Sequence, residues 1–367
     1  MKHIVLTGGG TAGHINPALA LAEVLKERGH DVVFAGTPQG IEARLVPQAG
    51  LPFKPFEAAG FNRRHPKTLP HALRLINAST KKAEAWFDEI HPDCVVGFGG
   101  YVCIPVARAA EKKGIPVVVH EQNSVMGVAN KYLAKKAAAV ALTYQVAGQA
   151  VADKSKLVVT GNPVRASIFD STRGQGCAML DIPDDALMLL VFGGSLGARH
   201  INAAICELKD RLLAVQNLYL VHITGPKELE TVEHDLALTP EQRKRWQVMG
   251  YQNRMGETMA AADMVVSRAG ATSLAEISGR QIPALLVPFP YATADHQTVN
   301  AREYVEAGAA YMVPDDKVEG PEFADKLFRM IQDPDVRRSM HEAGAKFGTR
   351  DAAGNLADVV LGAASRK

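Results

Sequence analysis

The chain begins with a short apolar run, His3 to Thr7, that breaks at Gly8-Gly9-Gly10. Helical apolar spacing follows from Ala18 to Arg28, with Pro17 placed for a first helical turn and Gly29 for a helix end. A second apolar run, Val32 to Ala35, comes next. Strand, glycine turn, helix, strand is a βαβ unit, and such a unit implies a parallel sheet. The same opening returns in the second half. Leu187 to Phe192 runs into Gly193-Gly194-Ser195-Leu196-Gly197 and then a helix from about Arg199. "VLTGGGTAGH" and "LVFGGSLGAR" thus read as the beginnings of two similar domains.

Between these openings the alternation continues. Cys94 to Val96 leads into Gly97-Phe98-Gly99-Gly100, a helix near Ile104 to Lys113 and a strand at Pro116 to His120. In the second half, Leu218 to Ile223, Met264 to Ser267 and Ala284 to Val287 read as further strands. The 367 residues suit two domains at roughly 150 residues each. The expected division is 1–163 and 164–345, joined near Gly161-Asn162-Pro163, with an Ala-rich helical tail at 346–367. The fold class is α/β: two Rossmann-like, doubly wound parallel-sheet domains facing across a cleft, with ligands at the carboxyl ends of the strands.

Composition narrows the function. Hydrophobic residues make up 47% and charged residues 22%, which excludes a disordered chain. A net charge of +2 argues against a simple nucleic-acid binder. That sum is uneven: residues 1–163 hold 19 Lys+Arg against 12 Asp+Glu (+7), and the rest hold 22 against 27 (−5). The basic excess includes Arg63, Arg64, Lys67, Arg74, Lys81 and Lys82, interleaved with Leu69, Leu73, Leu75 and Ile76. This stretch reads as a solvated amphipathic helix pair, or as a face for an anionic membrane if the substrate is a lipid. Cys94, Cys103, Cys177 and Cys206 form no CxxC pair, so they read as core thiols in a reducing compartment. No apolar run approaches a membrane span, and no signal-peptide core precedes the first strand.

Gly8-x-Gly10-x-x-Gly13 matches the dinucleotide fingerprint, but the acid that would hold an adenosine ribose is missing. Gly36-Thr37 stands in its place, and Glu42 comes too late along the chain. An NAD-dependent oxidoreductase is therefore disfavoured. Backbone N–H groups at a helix N-terminus remain a good anion site. Two glycine loops therefore suggest two phosphate-bearing ligands, or one ligand and its acceptor. A third segment runs from Arg268 through Gly270, Ala271 and Ser273 to Glu276, followed by Pro288 and Asp295-His296-Gln297-Thr298-Val299-Asn300-Ala301. It follows a strand. Gly270 permits close backbone approach, and Glu276 lies far enough along the next helix to accept both ribose hydroxyls. Asp333-Pro334-Asp335 reads as a turn and helix cap, not a metal site.

G-x-x-S-x-x-E followed by P and D-x-Q-x-x-N-A resembles the nucleotide-sugar signature of GT-B glycosyltransferases, and more narrowly of glycosyltransferase family 28. The resemblance runs from Gly8 to about residue 345. It is anchored by "GGGTAGH", "GFGGYV", "VVVHEQNSVMGVANKYLA", "GNPVR", "GGSLGAR", "SRAGATSLAE" and "DHQTVNA". It implies inverting transfer of N-acetylglucosamine (GlcNAc) from UDP-GlcNAc. The acceptor would be the 4-hydroxyl of N-acetylmuramoyl-pentapeptide on undecaprenyl pyrophosphate (lipid I). No cofactor or metal is implied, and activity should persist with a chelator. The first domain would hold the acceptor at the inner-membrane surface, near cell-wall synthesis or division proteins, and the second would hold UDP-GlcNAc. Neither would bind nucleic acid.

By position, Thr11, Ala12, Gly13, Asn123, Arg165, Ser195, Gln252, Gly270, Ala271, Thr272, Ser273, Leu274, Ala275, Glu276, His296 and Gln297 match nucleotide-sugar positions. His14, Tyr101, Glu121 and Asn123 match the acceptor side. The sequence departs from the family at Ala12, commonly Gly, and at Gln252, often apolar. Two bases compete for the acceptor proton: His14, at a helix N-terminus whose dipole favours a neutral imidazole, and Glu121. Ser195, Arg165 and Arg268 are candidates for stabilising the departing diphosphate, with a structural ion pair as the other reading for Arg268. A UDP-GlcNAc 2-epimerase and a non-catalytic lipid- or nucleotide-binding protein are the alternatives.

Overall fold

A computed structural model describes residues 1–59, 69–194, 197–347 and 351–365. The chain forms two compact units, Met1–Arg165 with Asp351–Lys367, and Ala166–Arg350.

The first unit is built on seven strands: β1 (His3–Thr7), β2 (Asp31–Gly36), β3 (Phe53–Pro55), β4 (Cys94–Gly97), β5 (Val117–Glu121), β6 (Ala139–Leu142) and β7 (Leu157–Val159). They pair in the order β3-β2-β1-β4-β5-β6-β7, all parallel. A parallel sheet is covered on both faces, so its strands are apolar throughout. Ile4, Val5 and Leu6 are all fully buried. Val5 points into a cluster with Phe87, Val95, Val106 and Val119. Ile4 and Leu6 point the other way, toward Leu21, Leu25, Leu356 and Val360.

Leu356 and Val360 come from the C-terminal helix Ala352–Ala364. The tail is therefore not a separate segment, and its helix is one wall of the first unit's core. Fully burying a Leu or Val stabilises by about 1.5–3 kcal/mol each. Arg28 Nη1 to Asp358 (2.5 Å) and Lys2 Nζ to the Ala364 carbonyl (3.1 Å) fasten the helix at its edges. The chain enters the second unit at Ala166, two residues beyond the start at 164 expected from the sequence, and returns to the first at Asp351.

The helix expected from Ala18 starts earlier, at Ala12, with Thr11 extended before it, and runs to Glu27. It is not broken by Pro17, which falls in its second turn. Gly29 ends it at φ +77°, with Gly29 N–H donating to Lys26 and His30 N–H to Leu25. This is the pairing that only a left-handed residue permits at low cost. The basic stretch forms one long helix among the described residues, Leu69–Ile90, rather than a pair. Ala72, Ile76, Ala83, Trp86 and Phe87 are buried, while Arg74, Lys81 and Lys82 are exposed.

The second unit repeats the plan with β8 (Leu187–Phe192), β9 (Leu218–Ile223), β10 (Trp246–Met249), β11 (Met264–Ser267), β12 (Ala284–Leu286) and β13 (Ala310–Met312). Their order is β10-β9-β8-β11-β12-β13, again all parallel. In each unit the first strand sits beside the fourth, where the direction of winding reverses. Doubly wound sheets bind ligands at this switch point. It places Gly8–Gly10 beside Gly97–Gly100 in one unit, and Gly193–Gly194 beside Arg268–Gly270 in the other. No helix among the described residues is long and apolar enough to cross a membrane.

Candidate functional site

In the first unit, the loop after β1 meets the loop after β4. Gly9 N–H donates to the Gly99 carbonyl at 3.2 Å. The turn needs Gly10 (φ +87°), Gly99 (+106°) and Gly100 (+83°) in conformations that side chains resist. Ala12 sits in the helix instead, so its methyl group costs the loop nothing. A Cβ on Gly99 would touch the His14 ring, which locates the imidazole against the second loop. His14 Nδ1 lies 2.8 Å from the Gly9 carbonyl and 3.4 Å from Thr11 Oγ1. A carbonyl only accepts, so Nδ1 carries a hydrogen, and in the neutral ring the lone pair is on Nε2. That is the tautomer a general base requires.

Glu121, at the end of β5, is 2% exposed. Its Oε1 accepts from Asn123 N–H (3.0 Å) and Asn123 Nδ2 (3.3 Å). Its Oε2 accepts from Gly127 N–H (2.9 Å) and Asn130 Nδ2 (2.8 Å). These four bonds hold the 121–130 loop in shape, a role that stands beside the expected one of base. Asn123 hangs from it. Tyr101, 44% exposed, stands just past the Gly99-Gly100 turn. His120 is fully buried. Its Nε2 donates to the Gly161 carbonyl (3.1 Å), and its Nδ1 accepts from Gln122 Nε2 (3.0 Å). Burial pushes its pKa down to about 4, so the ring is a neutral strut between β5 and the segment leading out of the unit.

In the second unit, Gly270 opens the helix Ala271–Gly279 with no side-chain cap. A helix N-terminus at a switch point is a favourable place for an anion. Leu274 is fully buried and Ala271 nearly so, whereas Thr272, Ser273, Ala275 and Glu276 lie half-buried on the outer side. Leu274 can thus meet a ligand through its backbone only. Gln297 Oε1 accepts from Ala269 N–H (3.1 Å) and Phe289 N–H (2.9 Å), joining the Arg268–Gly270 turn to the strap after β12. A Cβ on Gly270 would lie 3.9 Å from Gln297 Nε2, which leaves the amide nitrogen beside the helix opening. His296 begins the helix His296–Glu306 directly after two left-handed residues, Ala294 (φ 55°) and Asp295 (φ 53°). Such residues cost of order 1–3 kcal/mol each and concentrate at ligand sites.

Arg268 has the structural role. It is 8% exposed, pairs with Asp315, and donates to the carbonyls of Val287 (3.2 Å) and Pro288 (3.3 Å). It therefore braces the strap that Gln297 holds from the other side. Asp315 also meets His200 Nδ1 at 2.6 Å. Gln252 is half-buried; its Oε1 accepts from Arg254 N–H (2.9 Å) and its Nε2 lies 3.6 Å from Met249 Sδ. Arg165 is half-buried at the end of the first unit. Ser195 lies outside the described residues. Asp333 accepts from Asp335 and Val336 N–H groups, which is the helix cap expected of Asp333-Pro334-Asp335.

Sequence reasoning missed Asp315 and the structural role of Glu42. Asp315 had no motif to signal it. Glu42, too late along the chain for a ribose acid, folds its carboxylate back to the first glycine loop and accepts from Gly10 N–H at 3.3 Å.

Two Rossmann-like sheets that share the order of their first six strands, the second with a helix opened by Gly270 at its switch point, define an α/β protein of the GT-B glycosyltransferase class. The glycosyltransferase family 28 N-terminal domain model matches residues 4–142, and the family 28 C-terminal domain model matches residues 188–356. A UDP-N-acetylglucosamine--N-acetylmuramyl-(pentapeptide) pyrophosphoryl-undecaprenol N-acetylglucosamine transferase of Leuconostoc mesenteroides is 38% identical, covering 98% of this chain and 99% of its own. One of the same name from Halothermothrix orenii is 36% identical over 97% and 98%. Among solved structures, Acinetobacter baumannii MurG superposes with a TM-score of 0.77 at 28% identity, covering 99% of this chain and 100% of its own. The chain belongs to glycosyltransferase family 28.

Proposed function

We propose that this enzyme transfers GlcNAc from UDP-GlcNAc to the 4-hydroxyl of N-acetylmuramoyl-pentapeptide carried on undecaprenyl pyrophosphate, releasing UDP. The names of its full-length relatives support the substrates. The observation that carries the chemistry is His14, whose Nδ1–H is held by the Gly9 carbonyl and whose Nε2 keeps its lone pair. In this reading Nε2 takes the proton of the acceptor hydroxyl as its oxygen attacks C1 of the sugar. The C1–O bond to UDP breaks on the opposite face, so one displacement inverts the anomeric centre. The N–H groups that open the helix Ala271–Gly279 receive the diphosphate, Glu276 the ribose hydroxyls, and His296 and Gln297 the sugar. No step calls for a metal, and turnover should survive EDTA.

The acceptor is a membrane lipid, which gives the basic first domain a purpose. Exposed Arg74, Lys81 and Lys82, with Leu73 at 48% exposure, offer a cationic and partly apolar face on the helix Leu69–Ile90. Arg63, Arg64 and Lys67, which precede it, lie outside the described residues. We assign this face to the anionic cytoplasmic surface of the inner membrane, as a peripheral contact. The test is incubation with UDP-GlcNAc labelled in the sugar and a lipid I analogue. Label in the lipid product is the expected result. UDP release that ignores the acceptor would favour an epimerase or hydrolase.

A further inference from the structure

Glu42 is fully buried, and none of the ion pairs among the described residues includes it. Its Oε1 accepts from Thr37 N–H (3.0 Å) and from the Thr37 hydroxyl (2.5 Å), and its Oε2 accepts from Gly10 N–H (3.3 Å). The space for it is made by Gly9, Gly36 and Gly40, since a Cβ at any of them would strike this side chain. A buried carboxylate is costly to keep, and removing a methyl group from three places to fit one is a heavy constraint on a sequence. The bonds end on the glycine loop itself. Gly10, bound to Glu42, adjoins Gly9, whose carbonyl holds the Nδ1–H of His14.

We propose that Glu42 is a positioning residue for the transfer: by tying Gly10 to Thr37 it fixes the Gly9 carbonyl, and through that carbonyl the tautomer and orientation of the His14 ring. This rests on His14 being the base. The carboxylate does not touch the substrate, and its task is to hold still a glycine-rich loop whose left-handed Gly10 would otherwise leave it loose. Orientation is worth much to such a step, because a 1 Å misplacement can cost about 100-fold.

Glu42→Gln tests this at constant shape. Each carboxylate oxygen accepts one backbone N–H, so either orientation of the amide sets an N–H against Gly10 or Thr37. Measured on the full chain with UDP-GlcNAc and a lipid I analogue, kcat should fall by about 10- to 100-fold with KM for UDP-GlcNAc unchanged. Thr37→Val, which removes only the hydroxyl donor, should fall in the same direction by less, and it serves if Glu42→Gln does not fold. In the His14→Ala background Glu42→Gln should cost nothing further. Long-range proton–nitrogen spectra of the histidine-labelled chain should show the Nδ1–H form of His14 losing population in Glu42→Gln. Unchanged kcat, an equal loss in the His14→Ala background, or an unchanged His14 tautomer would each overturn the proposal. Near-normal turnover in His14→Ala alone would sink the base assignment, and the tautomer measurement would still decide whether Glu42 sets the ring.

Discussion

Glu121→Gln separates the two roles open to that carboxylate. The native group accepts four hydrogen bonds between 2.8 and 3.3 Å, two on each oxygen, and each oxygen takes one backbone N–H. An amide of the same shape must present its N–H to Asn123 or to Gly127, and two bonds go with it. Hydrogen bonds to a charged group are worth about 1.5–3 kcal/mol each, so the loss is about 3 kcal/mol at the least. For a unit of this size that is a fall of about 6–12 °C in melting temperature. Thermal unfolding followed by near-UV circular dichroism measures it, alongside turnover with saturating substrates. Asn130→Ala removes one of the four donors and should give a smaller fall, about 1–3 kcal/mol. If Glu121→Gln melts like the native chain and yet loses about 100-fold or more in kcat, Glu121 is a base and the loop-organising role is wrong.

Asp315→Asn should leave the Arg268 guanidinium buried and unpaired, at a cost of about 3–5 kcal/mol, and weaken UDP-GlcNAc binding by loosening the strap at Val287 and Pro288. An unchanged melting temperature with unchanged donor affinity, by calorimetry, contradicts that. His120 and His222 have pKa values lowered by burial to about 4 and about 3, against 6.5 when unfolded. The unfolded chain therefore binds more protons below pH 6.5. Their stabilisation is complete above that value and is lost as pH falls toward 4 and below. Urea unfolding between pH 7 and 4 should show the decline, and His120→Gln should flatten part of it. Replacing Arg63, Arg64, Lys81 and Lys82 with Gln should release the chain from vesicles rich in anionic lipid. Co-sedimentation unchanged by that variant would remove the basic helix from membrane contact.

The central strands were legible because burial on both faces writes them as unbroken apolar runs. Leu218 to Ile223 and Met264 to Ser267 match the observed strands residue for residue. The peripheral strands β3, β6, β7, β10 and β13 were not found. Phe53–Pro55 and Ala310–Met312 have three residues each, too few for a period, and Ala139–Leu142 has the composition of a helix. They form because a neighbouring strand offers unpaired backbone groups, which no local pattern records. Helix Ala12–Glu27 began early for a similar reason: the opening at Gly10 is imposed by the facing Gly99-Gly100 turn, not by its own first residues. At the site, residue type predicted which groups gather, but not what each one does. Position in the family pattern marked Arg268 and Glu121 as candidates; Arg268 makes the ion pair that was its other reading, with Asp315, and Glu121 binds the 121–130 loop.

The two glycine loops read alike in sequence and stand at equivalent switch points, but what lies beneath them differs. Under the first is the Glu42 carboxylate, bonded to a loop N–H that an anion would otherwise use. Against Gly197 at the end of the second is neutral backbone, the Thr224–Gly225 turn, itself steadied by Asn202 Nδ2 on the Thr224 carbonyl at 3.0 Å. A carboxylate in a low-dielectric interior repels an incoming diphosphate and neutral amides do not. The sequence suggested two loops for two phosphate-bearing ligands, or for one ligand and its acceptor. In the reading proposed above, this contrast favours the second unit for the nucleotide diphosphate and leaves the first loop as the mount for His14. That division also accounts for the absent acid after β2, since the carboxylate that a dinucleotide enzyme would turn toward a ribose is here turned inward, to hold the loop.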